Sequence, residues 1–257
     1  MVIRTLGLAL LASLVFSFPV SAQSFTEHTD TGFIAAITPD GSIVVGPAPT
    51  YIGGVDAQGV SDDGTVIVGC IIDPILNREV AARWTEATGW QSLGYLPNAL
   101  SCPSRSNAYD VSGDGSIVIG LSWDGCDGRG FRWTAATGMQ ELQNLGNGHN
   151  RATAISGDGS EIGGFAQGSS SRTPAYWNPD TSGSMLDINF QGEVSGFTQD
   201  GSTSVGNLHF GGGDYHSAFV RDRATGVVTD LGGLDPSSMN ANAQDLSANQ
   251  LEEVIVT

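Results

Sequence analysis

The chain has 257 residues, with ten basic side chains against 27 acidic ones and a formal net charge of −17. Such a charge repels phosphate backbones and anionic lipids, so nucleic acids and membrane surfaces are excluded as favoured partners. All ten basic residues are arginines. The absence of lysine excludes Schiff-base chemistry and Ser-Lys catalysis.

The first 22 residues have the three parts of a secretory signal peptide. Arg4 supplies the positive charge, Leu6 to Phe18 form an apolar core, and Val20-Ser21-Ala22 is a small-residue cleavage site. The core is too short to span a membrane comfortably, although an uncleaved anchor is the alternative. We expect a mature chain in the periplasm or outside the cell that does not insert into a membrane. Residues 23–32 are then a lead-in, and residues 33–257 form one domain.

Ten turn signals divide this domain into repeats. The signals are of two kinds, Asp-Gly pairs and Thr-Gly or Ser-Gly pairs, which alternate along the chain. Within each of four units, the glycine of the second pair follows the glycine of the first by 23 to 25 residues. The pairs are Asp40-Gly41, Asp63-Gly64, Thr88-Gly89, Asp114-Gly115, Thr137-Gly138, Asp158-Gly159, Ser182-Gly183, Asp200-Gly201 and Thr225-Gly226, with Asn249-Gln250 as a degenerate tenth. A period of this length indicates a repeat architecture.

Each repeat reads as two β-hairpins. Asp-Gly between apolar runs favours a type I′ turn, with positive φ at both central residues. Runs such as Thr65–Gly69 and Ser116–Gly120 are typical of buried strands. Tandem four-stranded units predict an all-β fold, a β-propeller of five blades of four antiparallel strands, with six blades as the alternative. We expect the hairpins Ala36–Gly46 and Leu246–Val256 to pair and close the last blade, which would remove open sheet edges.

The aspartates of the Asp-Gly pairs recur wherever a turn is needed, which favours an architectural role over calcium binding or paired-carboxylate catalysis. They are Asp40, Asp63, Asp114, Asp158 and Asp200. A Gly-Gly-Gly-Asp segment that ends at Asp214 resembles a calcium-binding loop, but it occurs once and such loops work as stacked repeats. We therefore predict no cofactor and no metal site, with calcium as the open alternative.

Cys70 and Cys126 are expected in loops that follow second strands, and Cys102 in a loop between blades. All three are therefore assigned to the face opposite the Asp-Gly turns, in neighbouring blades. In an oxidising compartment one pair should form a disulfide and leave one free thiol. We expect Cys102 to pair with Cys126 or with Cys70, and prefer Cys126. Zinc is the alternative, although no C-x-x-C motif is present.

Loops of variable length all fall at the end of the propeller opposite the Asp-Gly turns. Insertions on one face of a repeat fold often mark its binding face. The candidate ligand-binding residues, which the repeat does not require, are Trp123, Asp124, Asp127, Asp214 and Tyr215. In contrast, Trp84, Trp133 and Trp177 recur at one position of successive units, which favours packing. No catalytic residue is assigned.

The segments Val111–Gly120, Gly130–Thr134 and Ala135–Met139, read as Val-Ser-x-Asp-Gly-Ser-x-Val-x-Gly, Phe-Arg-Trp-Thr and Ala-Thr-Gly-Met, resemble the bacterial extracellular HAF-repeat proteins. His216-Ser217-Ala218-Phe219 is close to the tripeptide that names this family. The resemblance covers about residues 33–257. It implies a secreted or surface-displayed module, and the family supplies no catalytic residues to assign here.

The composition, the repeat and the variable face together favour a secreted, monomeric, non-catalytic binding or interaction module. Its ligand would be an extracellular glycan or protein. One alternative is a carbohydrate-active hydrolase or lyase with carboxylates at the central channel, which needs two acids about 5–10 Å apart. The other alternative is a purely structural surface protein.

Overall fold

The structure is a computed structural model that describes residues 35–40, 42–46, 56–75, 77–97, 104–123, 126–146, 148–168, 171–186, 191–210, 215–232, 243–246 and 254–256. Strands, turns and bends make up this part of the chain, and none of it is helical. A helix long and apolar enough to cross a membrane is accordingly not found there.

Twenty strands follow one another along the chain. They are β1 (Ala36–Ile37), β2 (Val44–Val45), β3 (Asp56–Val60), β4 (Ile67–Ile72), β5 (Glu79–Thr85), β6 (Gly89–Gly94), β7 (Arg105–Val111), β8 (Ile117–Trp123), β9 (Gly128–Thr134), β10 (Gly138–Glu141), β11 (Asn150–Ile155), β12 (Ile162–Gln167), β13 (Arg172–Trp177), β14 (Gly183–Met185), β15 (Gln191–Phe197), β16 (Thr203–Phe210), β17 (Tyr215–Asp222), β18 (Val228–Gly232), β19 (Ala243–Leu246) and β20 (Val254–Val256).

Four complete blades are present, each an antiparallel meander of four strands. Their orders are β3-β4-β5-β6, β7-β8-β9-β10, β11-β12-β13-β14 and β15-β16-β17-β18. We refer to them as blades 1 to 4. The predicted all-β repeat of two hairpins is therefore confirmed for all four units.

The blades pack side by side, with their first strands β3, β7, β11 and β15 next to one another around a central channel. The hydrophobic core lies in the interfaces between neighbouring blades. Phe131, Trp177 and Phe219 are its largest fully buried side chains, each at most 1% exposed. Trp177 is therefore a packing residue, and its indole N–H donates to the Gln143 carbonyl at 2.9 Å.

The second strand of each blade has a glycine at one equivalent position, and this glycine lets the first strand of the same blade approach closely. A Cβ at Gly69 would lie 1.8 Å from the Asp56 carbonyl oxygen, and one at Gly120 would lie 2.1 Å from that of Asn107. Each first strand has a register shift in this region, as between Ala57 and Gly59. The last glycine of the repeat motif is thus explained by a bulge in the partner strand.

The Asp-Gly turns differ from the predicted type I′ geometry. Gly64 has φ 69°, whereas no aspartate of these turns has positive φ among the described residues. The Gly64 N–H donates to the Ser61 carbonyl at 2.9 Å, so Ser61–Gly64 form an ordinary turn whose last residue is the left-handed Gly64. The expectation of two positive-φ residues is wrong because the strands are joined by longer loops, with six residues between β3 and β4 and five between β7 and β8, in which Ser-x-Asp-Gly forms the turn.

The terminal hairpins form two separate two-stranded sheets, β1-β2 and β19-β20. The first hairpin packs against β3, and β19 packs against β15 and β16. A Cβ at Gly64 would meet Thr38 and Ile43 of the first hairpin, just as one at Gly115 would meet Ser61 and Val66 of blade 1. Pairing of the two hairpins is not among the described strand pairs, so closure of a fifth blade stays a prediction.

Candidate functional site

The end of the channel formed by the Asp-Gly turns, here called the Asp-Gly face, is bridged by hydrogen bonds between blades. The Asp62 N–H donates to the Gly113 carbonyl at 3.0 Å, and the Gly113 N–H donates to the Gly157 carbonyl at 2.8 Å. In the same way the Asp158 N–H donates to the Gln199 carbonyl at 2.8 Å. These bonds tie the turns of four blades into one chain.

The Gln199 side chain crosses this end from blade 4 to blade 1. Its amide Nε2 donates to Asp62 Oδ2 at 2.6 Å. Between those blades it lies over two glycines, because a Cβ at Gly157 would be 2.1 Å from its Cδ and a Cβ at Gly113 would be 2.8 Å from its Nε2. We call this feature the Gln199 latch. The latch thus links blades 4 and 1 across the Asp-Gly face.

Towards the opposite end, here called the variable face, the channel holds a cavity of about 290 Å³. Its lining comes mainly from the first strands of the four blades. These residues are Ala35, Gln58, Tyr109, Arg151, Thr153, Glu193, Val194, Ser195 and Asn207. Each first strand runs from the variable face into its Asp-Gly turn, so the residues early in the strand, such as Arg151 and Glu193, lie nearest the variable face.

An ion pair between blades 3 and 4 dominates the electrostatics of this cavity. Arg151 Nη2 lies 2.8 Å from both carboxylate oxygens of Glu193, and Arg151 Nε lies 3.1 Å from Oε1. The Thr153 hydroxyl donates to the same Oε1 at 2.8 Å. The two charged side chains are 27% and 18% exposed, so the pair is partly shielded from water. A bidentate pair of this kind fixes both side chains and cancels their charges.

Aromatic rings hold the guanidinium of Arg151 in place. Its Cζ lies 5.5 Å from the centroid of Tyr109 and 5.1 Å from that of Phe165, both within cation–π range. Burial raises the pKa of Tyr109, and the nearby Arg151 only partly offsets that effect. Tyr109 therefore stays protonated at neutral pH and presents a neutral phenol to the cavity.

Asn207 brings an unusual polar atom to the cavity. Its Oδ1 is buried and has no hydrogen-bond partner among the described residues. The corresponding position of the other second strands, six residues after the turn glycine, carries Cys70, Leu121 and Phe165. An amide at this position is thus specific to blade 4. A buried acceptor without a donor costs free energy, which a bound donor would recover.

A second group of polar residues surrounds Trp123 at the variable face, where β8 ends. The Trp123 side chain is 36% exposed, and its ring is tilted by 57° against that of His149 at a centroid distance of 5.6 Å. His149 Nδ1 accepts the Gly128 N–H at 2.8 Å and lies 3.9 Å from Asp127 Oδ1. Arg129 Nη2 lies 3.4 Å from Asp127 Oδ2. We call these four residues the Trp123 cluster.

The structure thus brings two of the five predicted ligand-binding residues, Trp123 and Asp127, into one cluster. Asp124 and Asp214 lie outside the described residues. Tyr215 begins β17, and its side chain is outside the described part. Sequence reasoning missed His149, which was not among the candidate residues. The signal that could have identified His149 is its position directly before β11, the first strand of blade 3. That position lies beside the end of β8, the second strand of blade 2, where Trp123 stands.

The five turn aspartates occupy repeated, self-contained hydrogen-bond networks. In blade 2, the Ser112 hydroxyl donates to Asp114 Oδ1 at 2.7 Å and the Ser116 N–H donates to the same atom at 2.9 Å. Such bonds to the charged carboxylate lower its pKa. The pKa is lowered for all five, and for Asp40 and Asp200, where the largest cause is a backbone N–H donor, it falls to about 2.

The cysteines separate into two kinds. Cys70 is a free thiol, buried within β4 and not in a loop as its assignment to the variable face assumed. Burial raises its pKa to about 11, so it stays protonated. The alternative pairing of Cys102 with Cys70 is therefore wrong. Cys126 takes part in a disulfide, while Cys102 lies outside the described residues, so their pairing stays a prediction.

Among the described residues, no cluster of three or more His, Cys, Asp or Glu side chains could hold a metal ion. The calcium-like loop that ends at Asp214 lies outside them.

Comparisons with solved structures agree with a propeller. A TolB candidate from Agrobacterium tumefaciens matches with a TM-score of 0.57 at 14% identity, over 76% of this chain and 78% of that one. TolB from Acinetobacter baumannii matches with a TM-score of 0.51 at 14% identity, over 79% of this chain but only 51% of that one. At such identities the likeness shows the fold alone.

A weaker match is an oligogalacturonate lyase in complex with manganese, with a TM-score of 0.46 at 15% identity, over 71% of this chain and 55% of that one. This likeness is too low to support an argument about activity. No protein-family model matches the chain, and no curated protein matches its sequence.

Proposed function

We propose that this protein is a secreted, non-catalytic binding module that receives its ligand at the variable face. The observation that carries the proposal is the asymmetry of the channel. At the Asp-Gly face the Gln199 latch joins Gln199 to Asp62 at 2.6 Å, whereas towards the variable face the channel widens into a cavity of about 290 Å³. Concave sites with a few convergent polar groups are the usual places for ligands.

The composition of the cavity supports binding over hydrolysis or lyase chemistry. A hydrolase of the predicted alternative needs two carboxyl groups on opposite sides of a scissile bond. The described lining includes one carboxylate, Glu193, and Arg151 and Thr153 already occupy it with four hydrogen bonds. A single carboxylate whose oxygens are held by Arg151 and Thr153 does not match that two-carboxylate arrangement.

The Trp123 cluster supports the same face as the site of contact. An indole that is 36% exposed beside a carboxylate and a guanidinium offers a stacking surface together with hydrogen-bonding groups. A purely structural protein would not require this combination.

Secretion is part of the proposal and rests on the signal peptide alone. We expect material recovered from the periplasm or the medium to begin at Gln23, as N-terminal sequencing would show. An intact Met1 on protein recovered from the cytoplasm would contradict it.

The function itself is tested by locating a ligand. The purified mature protein would be screened against a glycan panel and against metal ions, and hydrogen exchange would be followed by mass spectrometry with and without each hit. We expect new protection in peptides covering 119–130 and 148–155. The turn segments 61–66 and 112–117 serve as the internal control and should not change. Protection confined to the turns would contradict the proposal, and a screen without any hit would favour the structural alternative.

A further inference from the structure

We infer that the channel cavity is a binding site for a neutral polyhydroxylated ligand of about the size of one sugar ring, such as a monosaccharide or the terminal unit of a glycan. This inference deepens the proposed function and rests on it. It follows from the balance of charge, the hydrogen-bonding groups and the volume of the cavity.

The charge balance disfavours an ionic ligand. The described lining holds one cation, Arg151, and one anion, Glu193, and they form a bidentate pair at 2.8 Å. An anionic ligand would have to displace Glu193 from Arg151, and a cationic ligand would have to displace Arg151 from Glu193. Either exchange leaves a partly buried charge without its partner, which is strongly unfavourable. A neutral ligand leaves the pair intact.

The remaining polar groups suit hydroxyls, which both donate and accept. Within the described part of the chain, Asn207 Oδ1 is buried and lacks a donor, so the ligand should offer an O–H or N–H at that point. Elsewhere in the lining, Gln58 supplies an amide that donates through nitrogen and accepts through oxygen, and Tyr109 supplies a phenol. A ligand with donors only, or with acceptors only, would leave part of this set unsatisfied.

Volume sets the size of the ligand. A cavity of about 290 Å³ lies at the lower end of the range for small-molecule sites, roughly 300–1,000 Å³. It therefore suits one ring bearing hydroxyls rather than an oligosaccharide. A longer glycan would place its terminal unit in the cavity and continue outward over the variable face.

The test is isothermal titration of the mature protein with neutral methyl glycosides and myo-inositol, and with galacturonate and glucosamine as their charged counterparts. We expect at least one neutral compound to bind and the charged compounds to bind more weakly. Removing the unpaired acceptor with Asn207→Leu should weaken that binding about tenfold or more, because the ligand's donor then loses its partner. Gln58→Ala removes a second polar side chain from the cavity lining and should also weaken binding of the neutral compound.

Asn107→Leu is the matched control. Asn107 also lies in a strand and also has a buried Oδ1 without a partner, but it does not line the cavity. The Asn107→Leu protein should bind the neutral compound with the same affinity as the parent. The inference would be overturned by a panel in which no neutral compound binds, by tighter binding of a charged compound, or by Asn207→Leu and Gln58→Ala proteins that bind like the parent. Should the inference fail while a hit from the broader screen still protects the variable face, the proposed function would stand without it.

Discussion

The two ends of the channel are built from the same strands, but they differ in how far their side chains repeat from one blade to the next. At the Asp-Gly face, five turns share one set of hydrogen bonds, with Ser or Thr hydroxyls 2.7–2.8 Å from the aspartate Oδ1. At the variable face, the equivalent first-strand positions five residues before that hydroxyl carry Asp56, Asn107, Arg151 and Glu193. The hydrogen-bond network of the turn aspartates repeats from blade to blade, whereas these first-strand positions change with each blade.

This difference separates architecture from specificity. A repeated turn must satisfy the same backbone donors in each unit, so its chemistry cannot vary without loss of stability. The variable face is free of that demand, and neighbouring blades can there combine different side chains, as Arg151 and Glu193 do. Substitutions at the two ends should therefore act on different properties of the molecule.

The largest effect is expected where the repeat ends. Deleting residues 241–257 removes β19, which packs against β15 and β16, and β20, which pairs with β19. The uncovered strands would present apolar surface and unpaired edges, so we expect aggregation or loss of cooperative unfolding. Thermal melting and size-exclusion chromatography would show it. A truncated protein that melts like the parent would mean that the last hairpin contributes nothing to closure.

Acid should weaken the uniform end selectively. The pKa values of the turn aspartates are lowered on folding, to about 2 for Asp40 and Asp200. Groups with a depressed pKa stabilise the fold fully above their unfolded pKa, near 4, and that contribution is lost as pH falls towards about 2. The urea midpoint should hold from pH 7 to about 5 and then fall steeply between pH 4 and 2.

The matched variant for this acid transition is Asp200→Asn, which cannot ionise. Its midpoint should be lower than that of the parent at pH 7, and the loss between pH 4 and 2 should be smaller. Equal slopes for the two proteins would show that this turn does not contribute to the acid sensitivity.

The sequence predicted the blades well because hairpin signals are local. Asp-Gly and Thr-Gly pairs between β-branched runs located every strand of blades 1 to 4. The turn type was wrong because the dipeptide Asp63-Gly64 was read without Ser61. The Ser61 carbonyl accepts the Gly64 N–H and its hydroxyl accepts the Val66 N–H, so the loop is longer than the two-residue hairpin that was expected. Cys70 was assigned to a loop because β4 was expected to end at the motif glycine, Gly69, whereas it continues to Ile72.

The candidate site was harder to predict because its parts come from different blades. Arg151 and Glu193 are 42 residues apart and meet only when blades 3 and 4 pack together. Aligning the units on the turn hydroxyl would have shown opposite charges at one position of neighbouring first strands. The same alignment places Gln199 where blades 2 and 3 have Gly113 and Gly157. It does not show that the Gln199 side chain crosses the channel.

The Gln199 latch offers a smaller perturbation of the Asp-Gly face. In Gly157→Ala the new Cβ would lie 2.1 Å from Gln199 Cδ. The flexible glutamine can swing away, so we expect loss of the bond to Asp62 and a decrease in the free energy of unfolding of less than about 1 kcal/mol. Chemical denaturation would measure it. In the control Gly168→Ala the Cβ meets no atom within 4 Å, and an equal loss there would show that the latch is not the cause.

The smallest effect concerns the buried thiol. Cys70 is 6% exposed and its pKa is raised to about 11, so it should not react with thiol reagents in the folded protein. Non-reduced secreted protein should show no reactive thiol when native and one after denaturation. Three reactive thiols after denaturation would contradict the predicted disulfide.

The separation of roles between the two ends is tested most directly by one paired measurement: the melting temperature and the affinity for the screened ligand of Asp114→Ala and Trp123→Ala. Asp114→Ala should lose about 1–2 kcal/mol of stability, since two hydrogen bonds to its Oδ1 disappear, and should keep its affinity. Trp123→Ala should keep its melting temperature and lose about 1–2 kcal/mol of binding free energy, as expected for a ring that stacks on a ligand. A Trp123→Ala protein that binds like the parent, or an Asp114→Ala protein that melts like the parent but binds weakly, would contradict the account.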